Sequence, residues 1–398
     1  MKKLLVITTT FPRWKDDKIT NFIYELAKEH ANTYEVHVVA PHSDRSKTFE
    51  NMDGIYVHRF RYFLHRFENL SKGISISNAI KQNRFNTLLI PLFIISGSLN
   101  ILFLLIKYHF DIVHNHWLIP FSPITASLKK IFRFKLIITS HGGDIFGFAK
   151  GIIEKLIKII SRYAISRCDY YTVVSSEIKR AAERDFDIKI GDRLKIISMG
   201  IPYYQFSRVK PNFERSLFTV VFVGRLSEMK GTRYLIEALG ILKGQGIELK
   251  CKIIGDGPER KDLEVLAGEK DVANLVKFIG FIAHRDLPEQ LNNTSVFVGP
   301  SITTKTGYKE GFGLVFIEAM AAGLPVIASR SGGITDIVKH METGLLVEEK
   351  DSEQIAKYIL ELCYNGSLRE HLIKNAKELA KNYSWQKIAS QYSELYEA

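Results

Sequence analysis

Short apolar runs alternate with amphipathic, helix-length stretches along the whole chain. That rhythm is the one expected of parallel strands buried on both faces by crossover helices. In the first half it predicts strands over residues 4–8, 35–40, 55–60, 112–114, 135–139, 170–174 and 194–197, with helices over stretches such as 20–29 and 152–167. The rhythm then restarts, with strands over 219–223, 248–254, 276–278, 296–298 and 325–328 and helices near 231–243, 259–267 and 313–322. The fold class implied is α/β, built as two doubly wound parallel-sheet domains in series. Two prolines and a polar run within 201–213 break the periodicity, and the boundary is expected there. Ligands of open parallel sheets bind beyond the carboxyl ends of the strands, so a site is expected in the loops after strands and in a cleft between the two sheets.

One stretch complicates this picture. Residues 87–106 are 20 in a row without a charge, about the length that crosses a bilayer. Pro91 and the polar cluster Ser96-Gly97-Ser98-Asn100 interrupt it, and an Asp111-Ile-Val-His strand follows at once. The expectation is a helix in a core or interface, because a true crossing would split one domain between two sides of a membrane.

Composition bounds the class. The chain has 398 residues, 46% hydrophobic and 25% charged, which is the globular average and long enough for two cores. Its net charge of +12 is uneven: residues 1–210 hold 32 basic and 18 acidic side chains, leaving 23 and 25 for the remainder. Residues 1–10 read as a buried strand and not a signal peptide. Cys168, Cys251 and Cys363 are far apart and form neither a disulfide framework nor a zinc motif, which fits a reducing cytoplasm.

The chemistry-bearing residues fall in the predicted loops. Phe222-Val-Gly-Arg225 leads from a strand through Lys230 to a helix, and two cations beside free helix N–H groups suit a diphosphate. Gly255 and Gly257 mark a second tight strand-to-helix turn. Glu310-Gly-Phe-Gly-Leu-Val-Phe-Ile-Glu318 puts one carboxylate in a loop and a second inside a helix whose start carries only small or apolar side chains. Such a start favours an anion, and carboxylates accept hydrogen bonds from sugar hydroxyls. In the first half, Thr139-Ser-His141-Gly-Gly-Asp144 and His114-Asn-His116-Trp117 both end strands. A metal there lacks a third ligand in the sequence. Asp185-Phe-Asp187 spells a D-x-D but follows a helix, so it reads as coincidence. No G-x-G-x-x-G follows the first strand and no P-loop occurs, which weighs against dinucleotide oxidoreductases and P-loop enzymes.

Taken in order, Arg225, Lys230, Gly255-Asp-Gly-Pro258, Gly280-Phe281, Pro300-Ser301, the Glu310/Glu318 stretch and Gly332-Gly333 resemble the retaining glycosyltransferases of family 4, with their GT-B fold. The resemblance runs from Leu4 to about Tyr396. It implies a donor-side domain over 206–382, an acceptor-side domain over 1–205 and a last helix, 383–398, that returns to the first domain. It implies that Arg225 and Lys230 hold the donor diphosphate, that Glu318 holds the ribose, and that Glu310 contacts the transferred sugar. Gly311, Phe312, Gly313, Leu314 and Val315 would bind the donor, with the backbone N–H groups of Phe312 to Val315 near the transferred sugar, and Phe281 would border the base. His141 matches a strand-end histidine facing the donor sugar and, with Glu310, is the expected catalytic contribution. Such enzymes need no metal and no cofactor beyond the nucleotide-sugar co-substrate.

The Gly-Gly loop common after the first strand is missing, since Thr8-Thr-Thr-Phe-Pro-Arg13 has no glycine. Arg13 and Asp144 are the acceptor-side candidates, and Asp336 stands where glutamate is commoner. The acceptor implied is a glycan or lipid-linked hydroxyl. Competing readings are a nucleotide-sugar epimerase of the same fold and a basic protein binding nucleic acid or an anionic surface. No nucleic-acid motif occurs, so nucleic acid is not an expected partner. An anionic membrane is, and the expected location is cytoplasmic and peripheral on the inner face of the cell membrane.

Overall fold

The computed structural model describes the chain except residues 16, 18–21, 71–75, 77–78, 81–82, 147–150 and 188–189. The first residues of the helix expected over 20–29 therefore lie outside the described residues. Two compact units form: Met1–Ser198 with Trp385–Ala398, and Met199–Ser384. The division comes ahead of the proline-bearing stretch because Ile201 belongs with the end of the second unit. Its N–H donates to the Tyr383 carbonyl at 2.8 Å, and it bridges to Ser384.

In the first unit the strands are β1 (Lys3–Ile7), β2 (Glu35–Pro41), β3 (Phe49–Met52), β4 (Ile55–Phe60), β5 (Ile112–His116), β6 (Lys135–Ser140), β7 (Tyr170–Val173) and β8 (Leu194–Ile196). Among the described residues they form one sheet in the order β3-β4-β2-β1-β5-β6-β7-β8. Among the described residues only the β3–β4 pair at the edge is antiparallel. Helices cover both faces of the central strands, as β1 and β2 show by being buried over nearly their whole length.

The longer helices of this unit are α1 (Phe22–His30), α2 (Ile90–Lys107), α3 (Ser122–Phe132), α4 (Ile152–Arg167) and α5 (Ser176–Phe186). The charge-free run is thus mostly α2, and Phe93, Gly97, Ile101, Leu104 and Leu105 are its buried residues. Phe93 meets Phe60, Tyr62 and Phe121 with ring centroids 5.1, 5.1 and 5.8 Å away. One side of this helix is therefore core.

The second unit holds β9 (Thr219–Val223), α6 (Thr232–Gly244), β10 (Lys250–Ile254), α7 (Arg260–Glu269), β11 (Val276–Gly280), β12 (Val296–Gly299), α8 (Leu314–Ala321), β13 (Val326–Ser329), β14 (Leu345–Val347), α9 (Ser352–Tyr364) and α10 (Gly366–Lys381). Its sheet is parallel in the order β11-β10-β9-β12-β13-β14. Phe222, Leu235, Leu239, Ile253, Val298 and Ile359 are among its core residues.

A final helix, α11 (Trp385–Glu397), belongs to the first unit. It buries Trp385, Ile388, Tyr392 and Tyr396 with Leu4, Ile23, Leu26 and Val36.

Candidate active site

The strand order of the second unit fixes where its site lies. From β9 the chain runs outward through β10 and β11, then returns to start again at β12 on the other side. The loops after β9 and β12 consequently diverge and leave a crevice at the carboxyl edge, the switch point where such sheets bind ligands. Two contacts hold these loops in register. The Ile302 N–H donates to the Met229 carbonyl at 2.7 Å. Gly231 has a φ of +62°, and a Cβ there would sit 1.9 Å from the Pro300 oxygen, so only glycine lets the backbones meet.

Lys230 and Glu310 come from these two loops, and their side chains form an ion pair at the crevice. Both are only partly exposed, at 18% and 12% of the side-chain surface. Glu310 is placed by its own backbone: its carbonyl accepts the Gly333 N–H at 2.9 Å, and a Cβ on Gly332 would lie 2.1 Å from that same oxygen. The glycine pair after β13 thus packs directly beneath the Glu310 turn. Tyr308 lies close enough to feel Glu310 and Lys230; burial raises its pKa first, the nearby carboxylate adds to this, and the lysine opposes it.

Helix α8 opens at Gly313, which places no side chain over the first turn. The first N–H groups of a helix lack intrahelical acceptors and attract anions. Glu318, five residues into this apolar helix, is buried and accepts from His284 Nε2 at 2.6 Å. Phe281 follows β11 and is 68% exposed. Arg225, just past β9, is also exposed. At the rear of the crevice Glu349 accepts from the Thr303 N–H and Oγ1, both at 2.8 Å, and steadies the loop after β12. Burial works against ionisation of Glu349, but bonds from Ser331 and Thr303 outweigh it and its pKa falls below the ordinary value.

Among the sequence candidates, the fold therefore gathers Lys230, Glu310 and the Gly311–Val315 turn, with Glu318 one turn deeper. His284 escaped the sequence reading. A lone histidine in a loop has no periodicity to mark it, and only the spatial partner Glu318 gives it meaning.

The first-unit candidates form their own cluster at the carboxyl ends of β5 and β6. Asp144 is 5% exposed, and its carboxylate accepts the N–H groups of His141 and Gly142 at 3.1 Å and of Leu118 at 3.0 Å. Burial raises its pKa while these bonds oppose the shift. Both oxygens are occupied by backbone, so Asp144 shapes the two loops and offers little to an acceptor. His141 Nε2 lies 3.0 Å from His116 Nδ1, and its own Nδ1 is buried with no partner among the described residues. Burial pushes the His141 pKa down to about 3, so the ring is neutral. Arg13 makes a two-pronged pair with Asp17, with both contacts at 2.8 Å, and stacks 4.3 Å from the Trp14 ring. Its cation is already matched. Among the described residues no group of three or more His, Cys, Asp or Glu side chains is placed to hold a metal.

Comparison with known proteins identifies the family and the fold. Residues 19–203 match the family described as Glycosyltransferase Family 4, and residues 204–379 match Glycosyl transferases group 1. An uncharacterized glycosyltransferase of Methanocaldococcus jannaschii is 32% identical over 305 residues, covering 72% of this chain and 75% of that one. In fold, the chain is similar to sucrose-phosphate synthase from Thermosynechococcus elongatus, with a TM-score of 0.76 at 22% identity over 100% of this chain and 98% of the other. It is also similar to HepE of Anabaena solved with UDP-glucose, with a TM-score of 0.68 at 19% identity over 100% of both chains. These solved structures share the GT-B architecture.

Proposed function

Since this chain belongs to the family 4 glycosyltransferases, we propose that it moves a sugar from a nucleoside-diphosphate donor to an acceptor hydroxyl with retention at the anomeric carbon. The observation that carries this reading is the Lys230–Glu310 pair set against the open start of α8 at the sheet's switch point. A diphosphate at the helix start takes the N–H groups of the Leu314 turn and draws Lys230 and Arg225. Glu310, released from part of its contact with Lys230, accepts hydrogen bonds from the sugar. Glu318 has one oxygen held by His284 and accepts a ribose hydroxyl through the other. Phe281 offers its exposed ring to the base. HepE, which has the same fold, was solved with UDP-glucose, and this supports a nucleotide-sugar as the donor class.

In the reaction, the bond from the anomeric carbon to the phosphate oxygen breaks as the acceptor oxygen bonds from the same face. The acceptor proton passes to the departing phosphate. Charge then builds on the diphosphate, where Arg225, Lys230 and the helix N-terminus stabilise it, so no metal is required in this reading. The acceptor is a glycan or a lipid-linked hydroxyl. Glu310→Ala tests the assignment: turnover is expected to fall by about a hundredfold or more, with the melting temperature little changed. Wild-type turnover in this variant, or an inverted product anomer by NMR, contradicts the proposal. Unchanged turnover in EDTA is also expected.

A further inference from the structure

We propose that the outward face of α2 is a docking surface for an anionic lipid bilayer, on which this helix lies without crossing. Leu88, in the turn that leads into the helix, and then Leu92, Ile95, Leu99, Phe103 and Ile106 recur every three or four residues and so share one side. They are between 41% and 73% exposed. Single exposed apolar residues are ordinary, but an unbroken row along about 27 Å of helix is not. The opposite side is committed: Phe93 is wedged among Phe60, Tyr62 and Phe121, and a Cβ on Gly97 would lie 2.4 Å from the Phe121 ring. The helix is long and apolar enough to span a membrane. Spanning would strip that packing from the sheet, whereas lying on the surface keeps it.

Charge identifies the occupant. From Arg61 to Lys107 the sequence carries Arg61, Arg66, Lys72, Lys81, Arg84 and Lys107 against a single acid, Glu68. That acid is fully buried, held by His42 at 2.5 Å and by the Tyr62 N–H at 2.9 Å. Among the described residues of this stretch, every exposed charge is positive: Arg61, Arg66, Arg84 and Lys107. The Ser96 hydroxyl bonds the Arg61 carbonyl, which brings the loop bearing exposed Phe63, Leu64 and Phe67 alongside the helix. Asp44 lies 3.6 Å from His65 on that loop, but along α2 itself the apolar row is flanked by Arg84 and Lys107. Apolar side chains flanked by cations match lipid tails beneath anionic headgroups. A second copy of the chain would instead bring two predominantly cationic rims together. The start of α4 also exposes Ile152, Ile153, Leu156 and Ile159, but there Lys158 is paired with Glu154 at 2.9 Å and the row is shorter. The proposal is independent of the catalytic reading.

Flotation of the full-length protein with vesicles tests it. Binding is expected to phosphatidylcholine vesicles containing phosphatidylglycerol, and to weaken with salt and with phosphatidylcholine alone. The triple variant Ile95→Gln/Leu99→Gln/Phe103→Gln changes only exposed positions and should bind at least about tenfold more weakly at an unchanged melting temperature. Arg84→Gln and Lys107→Gln should each weaken binding roughly fivefold. Should the triple variant lose stability, a polarity-sensitive dye on Leu99→Cys gives a second reading: its emission should shift to the blue with anionic vesicles, while the same dye on Val265→Cys in the second unit should not shift. No binding by the wild type, wild-type binding by the triple variant, or loss of binding in Ile152→Gln/Leu156→Gln alone would overturn the proposal. So would a dimer that the triple variant abolishes in a protein that ignores vesicles.

Discussion

Glu318 shows how a single carboxylate can be restricted to one use. The helix around it is apolar, so an unmatched charge there would be costly, and His284 supplies the match at 2.6 Å. With one oxygen held in place, the other has a fixed direction, which is what recognition of a diol requires. Glu318→Ala should therefore weaken donor binding by roughly tenfold to a hundredfold, the range for a lost hydrogen bond to a charged group. Calorimetric titration with the nucleotide-sugar checks this. His284→Ala should show a smaller loss in the same direction, because it frees the carboxylate to rotate without removing it. Equal donor affinity in wild type and Glu318→Ala would remove this residue from the site. The sequence could single out Glu310 and Glu318 because their spacing crosses a loop-to-helix junction marked by Gly311 and Gly313. It could not single out His284, nor could it show that Arg13 and Asp144 are already bonded to Asp17 and to backbone amides.

At the level of the elements, buried strands announced themselves because a strand covered on both faces is largely apolar. Where polar residues do occur, as in β5, they are buried with partners such as Thr139 and Tyr396 on His114. The exceptions follow from the same physics. β3 reads Phe-Glu-Asn-Met and sits at an edge where only one residue is buried, so it leaves no apolar run. β14, three residues long, goes unmarked by the sequence pattern, although the equally short β8 does not. In α2 the reverse holds: both sides are apolar, so no pattern in the sequence distinguishes the face that packs from the face that does not. The discriminating residue is Gly97. Alanine is favoured over glycine within a helix by about 1 kcal/mol, but here its Cβ would meet two atoms of the Phe121 ring at 2.4 and 2.5 Å. Overpacking of a core costs about 1–3 kcal/mol, so the steric effect wins and Gly97→Ala should lower stability. Urea unfolding measures it, and a gain in stability would show that α2 does not rest on Phe121. Gly244→Ala, at the end of α6 with open space around it, is the control expected to be neutral or stabilising.

Across the whole molecule, charge and titration are distributed unequally between the two units. The excess of basic side chains belongs to the first 210 residues, and so do the histidines whose pKa values are depressed. Burial pushes His30 and His141 down to about 3, and drives His114 and His116 well below the ordinary 6.5. His114 is enclosed by the Tyr396 hydroxyl and Thr139 Oγ1, each at 2.7 Å, so helix α11 and the sheet share a neutral ring. In the unfolded chain these rings bind protons below about pH 6.5, whereas in the folded unit His30 and His141 do not until near pH 3, and burial keeps His114 and His116 neutral well below the ordinary value. Between those limits the unfolded state holds more protons, and stability falls as the pH is lowered. Each such ring removes up to about 1.4 kcal/mol per pH unit. His30 and His141 alone therefore remove a stabilisation that is substantial beside the whole stability of a typical domain, about 5–15 kcal/mol, and His114 and His116 act in the same direction. Hydrogen exchange should therefore show protection of β1, β5 and β6 collapsing between about pH 6 and 4, while β9 and β12 keep theirs to lower pH. His114→Asn and His30→Gln should flatten that dependence, because a side chain that does not titrate carries no proton linkage. If exchange in the two sheets rises together and both variants follow the wild type, the buried histidines are not what limits stability in acid.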